Sequence, residues 1–188
     1  MMTSKKIQKY NTKVEFRTYC KVRLQKLSQF VQRRAIDKNL LNKIYRLIVK
    51  SRSNIILAYI PICTEVDILP LINRLRREKK IVLVPFMEHE SFRLVKYRLP
   101  LKKKKFGIKE PHDSKQIRNN KIDLAIVPIL GVDLTGRRVG FGKGMYDRFF
   151  EKEQKNIKNS IFISRELLIN KKIITDNYDI LPTQSVWI

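Results

Sequence analysis

Three short apolar runs restrict what this chain can fold into. They are residues 54–61 (NIILAYIP), 80–86 (KIVLVPF) and 122–128 (IDLAIVP). Each is too short for a core helix and too uniformly apolar for a strand with one wet face, so each reads as a strand buried on both sides. Helical patterns stand between them. Cys20, Leu24, Leu27 and Val31 step by four, three and four from a start near Thr12. A second stripe runs from near Asp37, a plausible N-cap, through Leu41, Ile44 and Ile48. A third covers residues 64–78, with Thr64 as its cap and Ile68, Leu71, Ile72 and Leu75 on one face. Residues 91–99 alternate, as an edge or antiparallel strand does. Residues 100–120 read as a long polar, basic connection. A helix near 145–153 and a short strand at 160–164 complete the pattern. The expectation is an α/β fold, a single-domain three-layer sandwich spanning residues 1–188, with a mostly parallel sheet and helices on both faces. Residues 1–11 are expected to fray, and residues 181–188 to form an extended tail with the one tryptophan, Trp187.

Composition removes several function classes. No apolar run approaches the roughly 20 residues of a membrane span. The basic, polar N-terminus has no apolar segment behind it, unlike a secretory leader. Two cysteines, Cys20 and Cys63, and two histidines, His89 and His112, are too few and too scattered for a disulfide framework or a zinc centre. Both cysteines sit in apolar patterns and are expected to be buried thiols in a reducing cytoplasm. No Ser/His/Asp or Cys/His set suggests nucleophilic hydrolysis. The net charge of +24 admits a nucleic-acid-binding module. However, the basic residues spread along the whole chain, and few aromatics interleave the one dense run, residues 102–105. Lys, Ile and Asn abundance fits compositional drift, and anionic small molecules are the favoured ligands.

The densest chemistry lies in residues 136–149, GRRVGFGKGMYDRF. Gly140, Gly142 and Gly144 alternate beside Arg137, Arg138 and Lys143, and Asp147 follows in a helical run. Glycines let a backbone turn its N–H groups toward a ligand, and a helix start adds a positive dipole end. The stretch reads as a polyphosphate cradle with a possible metal ligand, or else as a Gly-rich turn with a solvated basic rim. Its spacing is neither a P-loop nor a dinucleotide fingerprint. Lys13 and Arg17, four apart on the first helix, could converge on an anion or form its wet face. Glu65 stands just past a strand end, where open α/β sheets bind ligands, or serves as a first-turn dipole partner.

These pieces occur in the order of a known family. Lys13 and Arg17 form a Lys-x-x-x-Arg pair. YIPICTEVD carries Glu65 behind a strand. Val82 to Pro85 gives Val-x-Val-Pro, and Gly107 to Pro111 gives Gly-Ile-x-Glu-Pro. IDLAIVP followed by GRRVGFGKGMYDRF is the specific signature. From Lys13 to about Asp179 the chain resembles 5-formyltetrahydrofolate cyclo-ligase, also called 5,10-methenyltetrahydrofolate synthetase.

The resemblance implies an ATP-dependent, ring-closing ligase that uses magnesium, acts as a monomer in the cytoplasm, and takes 5-formyltetrahydrofolate, polyglutamylated or not, as its partner substrate. The formyl oxygen would attack the γ-phosphate, and N10 would then close the ring and expel phosphate. Lys13, Arg17 and the loop Arg138, Val139, Gly140, Phe141, Gly142, Lys143, Gly144, Met145 and Tyr146 would bind ATP. Lys143 and Arg138 would be the catalytic cations, and Asp147 would hold magnesium. Ile60 and Glu65 would bind the folate, and Phe141, Gly142, Lys143, Gly144 and Met145 would contact both substrates. The chain departs from the family pattern at Ile68, where threonine is common, and at Met145, where tyrosine is common. Thr183 stands where a second metal-associated aspartate is frequent, with Asp179 nearby. The alternatives are a basic nucleic-acid-binding protein on the same fold, or another ATP-dependent ligase or kinase of a small acid.

Overall fold

The computed structural model describes residues 6–103, 109–111 and 121–182. Its centre is a five-stranded sheet. In chain order the strands are β2 (Ile55–Leu57), β3 (Ile81–Glu88), β4 (Ser91–Lys96), β7 (Leu124–Pro128) and β10 (Ser160–Ile163). In space they run β10-β7-β2-β3-β4, parallel except for β4, which pairs antiparallel with β3. The apolar runs are continuous because both faces of this sheet are covered. Ile56, Val82, Val84, Leu124, Ile126, Ile161 and Ile163 face one core, and Leu57, Leu83, Ala125, Val127 and Phe162 face another. Helices α2 (Arg33–Lys50) and α3 (Leu69–Arg77) cover the first face. Helix α4 (Met145–Glu153) covers the second through Phe149 and Phe150. The sandwich with helices on both faces is thus as expected.

A second sheet was not legible from the sequence. It joins β1 (Lys6–Gln8), β11 (Leu168–Asn170), β8 (Gly131–Val132) and β9 (Arg138–Val139) in the order β1-β11-β8-β9. Helix α1 (Lys13–Ser28) packs on it, with Phe16, Cys20 and Leu24 against Leu130, Val139 and Leu168. Residues 6–8, expected to fray, are therefore anchored by parallel pairing to β11. The long basic connection also contains a strand pair, β5 (Leu101–Lys103) with β6 (Lys109–Pro111). Buried Glu110 ties it to β3 by accepting from the Met87 N–H at 3.0 Å.

Several local expectations need correction. Thr12 does cap α1, in a capping box with Glu15. That helix stops at Ser28, which leaves Val31 93% exposed instead of in the apolar stripe. Helix α2 begins at Arg33, four residues before Asp37, and Asp37 points inward as a buried ion-pair partner. Helix α3 begins at Leu69, not Thr64. Pro70 fits a first turn, where no N–H is required, and Asp67 accepts from the Leu69 N–H at 3.1 Å. Residues 61–68 are therefore a turn, and Glu65 is not a helix-dipole residue. Cys20 is buried as expected, and burial pushes its thiol up to about 12, whereas Cys63 is exposed. Gly107, Ile108, Lys104, Lys105, Thr183 and Trp187 lie outside the described residues. Among the described residues no helix is long and apolar enough to cross a membrane.

Candidate active site

The strand order reverses between β2 and β7, because β2 leads through α3 to β3 on one side while β7 and β10 lie on the other. Ligand crevices form outside the carboxyl ends of strands at such points. A cavity of about 490 Å³ opens there, with Tyr59 and Ile60 following β2 and Pro128 ending β7. Lys13, Arg17, Ile60, Glu65, Arg138 and residues 140–147 all line it. Residues from a helix, a turn and a glycine-rich loop, far apart in sequence, thus meet at one site. Val139 is the exception among the candidates. Its side chain is fully buried under α1, and its carbonyl accepts from Leu130 N–H.

The β8–β9 hairpin delivers the glycine-rich loop, and α4 receives it. Gly144 is the N-cap of α4 at φ 63°, with no side-chain cap, and Gly142 lies at φ 102°. Both conformations favour glycine. The uncapped first turn leaves backbone N–H groups for an anion. Three arginines also crowd the glycines. Arg138 Nη1 lies 2.7 Å from where a Cβ of residue 140 would stand, the Arg17 guanidinium 3.3 Å from that of residue 142, and Arg148 Nη1 2.7 Å from that of residue 144. Arg17 Nε donates to Gly140 O at 2.9 Å, and Arg148 Nη2 to Lys143 O at 2.6 Å. The glycines thus admit bracing guanidinium groups as well as a ligand.

Two expected cations turn out to be engaged with carboxylates. Arg138 is buried and forks onto Asp147 Oδ1, through Nη2 at 2.8 Å and Nε at 3.1 Å. Its donors hold the loop and Asp147 in place, so it is less free to meet phosphate than an exposed rim cation would be. Lys13 Nζ donates to Asp176 Oδ2 at 2.8 Å and Asp179 Oδ2 at 2.6 Å. Burial pulls the Lys13 ammonium down, but the bonds to both aspartates outweigh it and hold it above its ordinary value. A lysine ammonium has three donors, so one remains for a phosphate oxygen.

Among the described residues no group of three or more His, Cys, Asp or Glu could hold a metal ion. That donor set does not suit a resident all-protein site. It does suit magnesium arriving with a nucleotide, which needs only one or two carboxylates beside phosphate oxygens and water. Asp147 and Asp179 are two carboxylates that line the cavity.

Glu65 contributes a further part of the cavity lining. Its Oε2 accepts from Ile62 N–H at 3.0 Å. Burial pushes its carboxyl up to about 7, against the Ile62 N–H and the Arg165 charge, which favour the ionised form. Tyr59 and Tyr146 face it. Burial first, and then the Glu65 charge, raise both phenols, so they stay protonated. The Tyr59 hydroxyl donates to Val66 O at 2.9 Å. Residues not read from the sequence complete the walls. Phe92 and Met87 add an apolar face from β4 and β3, with Phe92 edge-on to Tyr146 at 5.0 Å between ring centroids. Arg148 and Lys109 add charge. Arg148 stood in the signature itself. Lys109 stood at the open position of Gly-Ile-x-Glu-Pro, whereas Phe92 and Met87 carry no motif and reach the site through sheet pairing.

Known proteins resemble this chain in sequence and in fold. The model of the 5-formyltetrahydrofolate cyclo-ligase family matches residues 9–176. The 5-formyltetrahydrofolate cyclo-ligase of Haemophilus influenzae is 26% identical, with 95% of this chain and 96% of the relative covered. That of Escherichia coli K12 is 25% identical over 62% of this chain and 68% of the relative. The solution structure of Aquifex aeolicus 5,10-methenyltetrahydrofolate synthetase superposes with a TM-score of 0.72 at 27% identity, covering 92% of this chain and 88% of the other. The 5,10-methenyltetrahydrofolate synthetase of Mycoplasma pneumoniae shares the fold at a TM-score of 0.69 and 19% identity, covering 92% and 96%. With the family model spanning most of its length, the chain belongs to the 5-formyltetrahydrofolate cyclo-ligase family of enzymes.

Proposed function

We propose that the chain converts 5-formyltetrahydrofolate and ATP, with magnesium, to 5,10-methenyltetrahydrofolate, ADP and phosphate. One observation carries this reading: a single cavity is lined by both a glycine-rich anion cradle and the Glu65 carboxylate. A formamide oxygen is a poor leaving group, and phosphorylation makes it a good one. The formyl oxygen attacks the γ-phosphorus and ADP departs. N10 then attacks the activated carbon, the ring closes and phosphate leaves with the former formyl oxygen. The protein's task is to align two substrates and to offset phosphate charge.

The assignment of residues follows the geometry. The loop amides, Lys143, Arg17 and the remaining donor of Lys13 hold the ATP phosphates. Arg138 holds Asp147 and braces Gly140, which keeps the cradle in shape. Asp147 would hold magnesium arriving with ATP, and the ion would offset charge on the phosphate oxygens. Ionised Glu65 accepts from adjacent N–H groups of the pterin, with Ile60, Met87 and Phe92 against its ring. Phe141, Gly142, Gly144, Met145 and Tyr146 lie between the two substrates.

An absorbance assay for 5,10-methenyltetrahydrofolate tests the reading, with 5-formyltetrahydrofolate, ATP and magnesium omitted in turn. Product is expected only from the full mixture. Product without ATP, or none from the full mixture, would refute it.

A further inference from the structure

Glu65 sits on a turn, so something other than a helix has to fix it. Three successive carbonyls of that turn accept from one guanidinium. Arg165 Nη1 donates to Thr64 O at 2.9 Å and to Cys63 O at 3.4 Å, and Arg165 Nη2 donates to Glu65 O. The same guanidinium forks onto Asp37, with Nε to Oδ1 at 2.8 Å and Nη2 to Oδ2 at 3.0 Å. Asp37 Oδ2 also accepts from Asp67 N–H at 3.1 Å. The turn is therefore held on both sides of Glu65, by Arg165 before it and by Asp37 after it.

The two side chains are only 2% and 7% exposed, and neither lines the cavity. Asp37 comes from near the start of α2 and Arg165 from just beyond β10, so two distant elements converge on one short segment. A buried ion pair seldom stabilises a fold more than an apolar pair of the same size would. Among the described residues, the side-chain hydrogen bonds that leave this pair go to the turn bearing Glu65. A planar guanidinium can serve three carbonyls and a carboxylate in fixed directions, and an ammonium cannot.

We propose that the Arg165–Asp37 pair is a positioning device for Glu65, which sets the affinity of the site for its pterin substrate by fixing where the carboxylate stands. The inference rests on the reading that Glu65 binds that substrate. Neither residue touches substrate. Both act through the backbone of the turn.

The test is a double-mutant cycle on Michaelis constants, with folding of each variant checked by circular dichroism and thermal melting. Arg165→Lys is expected to raise the KM for 5-formyltetrahydrofolate by about 10- to 100-fold, the scale of a misplaced positioning group. The KM for ATP and the saturated kcat should stay within about threefold. In a Glu65→Gln background the same change should raise the folate KM by less than about threefold, because contacting groups are not additive. Equal effects in both backgrounds, an unchanged folate KM, or a parallel loss in ATP KM and kcat would overturn the proposal. Should Arg165→Lys fail to fold, Asp37→Asn carries the same comparison, since it keeps the cation and one acceptor. If Glu65→Gln alone leaves the folate KM unchanged, the assignment of Glu65 falls. If Glu65→Gln raises it and the Arg165 and Asp37 variants do not, only the positioning inference falls.

Discussion

Replacing Glu65 by glutamine should stabilise the free protein while weakening its activity. The carboxyl is moved from an ordinary 4.5 to about 7, mainly by burial. A group whose folded value is raised favours folding fully below its unfolded value, and that contribution is lost as pH rises through the folded value. Here the loss spans pH 4.5 to about 7, and beyond it the ionised carboxylate costs the folded state about 3 kcal/mol. Glutamine keeps an acceptor for Ile62 N–H and carries no charge. At pH 8.5 the Glu65→Gln protein should therefore be more stable by about 3 kcal/mol, or roughly 6–12 °C in Tm for a chain of this size. At pH 4 the two proteins should melt together. Urea denaturation of the ligand-free proteins at pH 4, 7 and 8.5 reads the difference directly. The same variant should raise the folate KM at pH 8 by about 10- to 100-fold, as a lost hydrogen-bonded charge does. Wild-type folate affinity should fall as pH drops through about 7. Stability curves that stay parallel across this range would refute the reasoning.

Two further outcomes follow from the site and the core. Lys143→Ala should lower kcat by about 10²- to 10⁴-fold while the protein still folds, because it removes a cation from the transferred phosphate and the residue is exposed. Near-normal turnover would remove Lys143 from the reaction. With a thiol reagent under native conditions, exposed Cys63 should react quickly, whereas buried Cys20, pushed up to about 12, should react only on unfolding.

The central sheet was legible because its strands are buried on both faces, which writes a continuous apolar run into the sequence at 54–61, 80–86 and 122–128. The second sheet was not, since strands of two or three residues such as Gly131–Val132 and Leu168–Asn170 are too short to show a period. The glycine-rich loop stood out because glycines and cations crowd together there. The sequence could not show that Arg17, Arg138 and Arg148 would each pack beside one of those glycines. The boundary of α3 was misplaced because the apolar period of residues 68–75 continues past its true start, while Pro70 and Asp67 decide where the first turn begins. Arg165 and Asp37 carried no motif. Their meeting depends on the end of β10 and the start of α2 converging on the Glu65 turn, which only the tertiary arrangement supplies.

In the proposed reaction the formyl oxygen is phosphorylated before the ring closes. Single-turnover reaction of 5-formyltetrahydrofolate labelled with ¹⁸O at the formyl oxygen, followed by mass analysis of the products, tests it. The label is predicted to appear in inorganic phosphate, one atom per ring closed. Label recovered in water, with unlabelled phosphate, would contradict the claim.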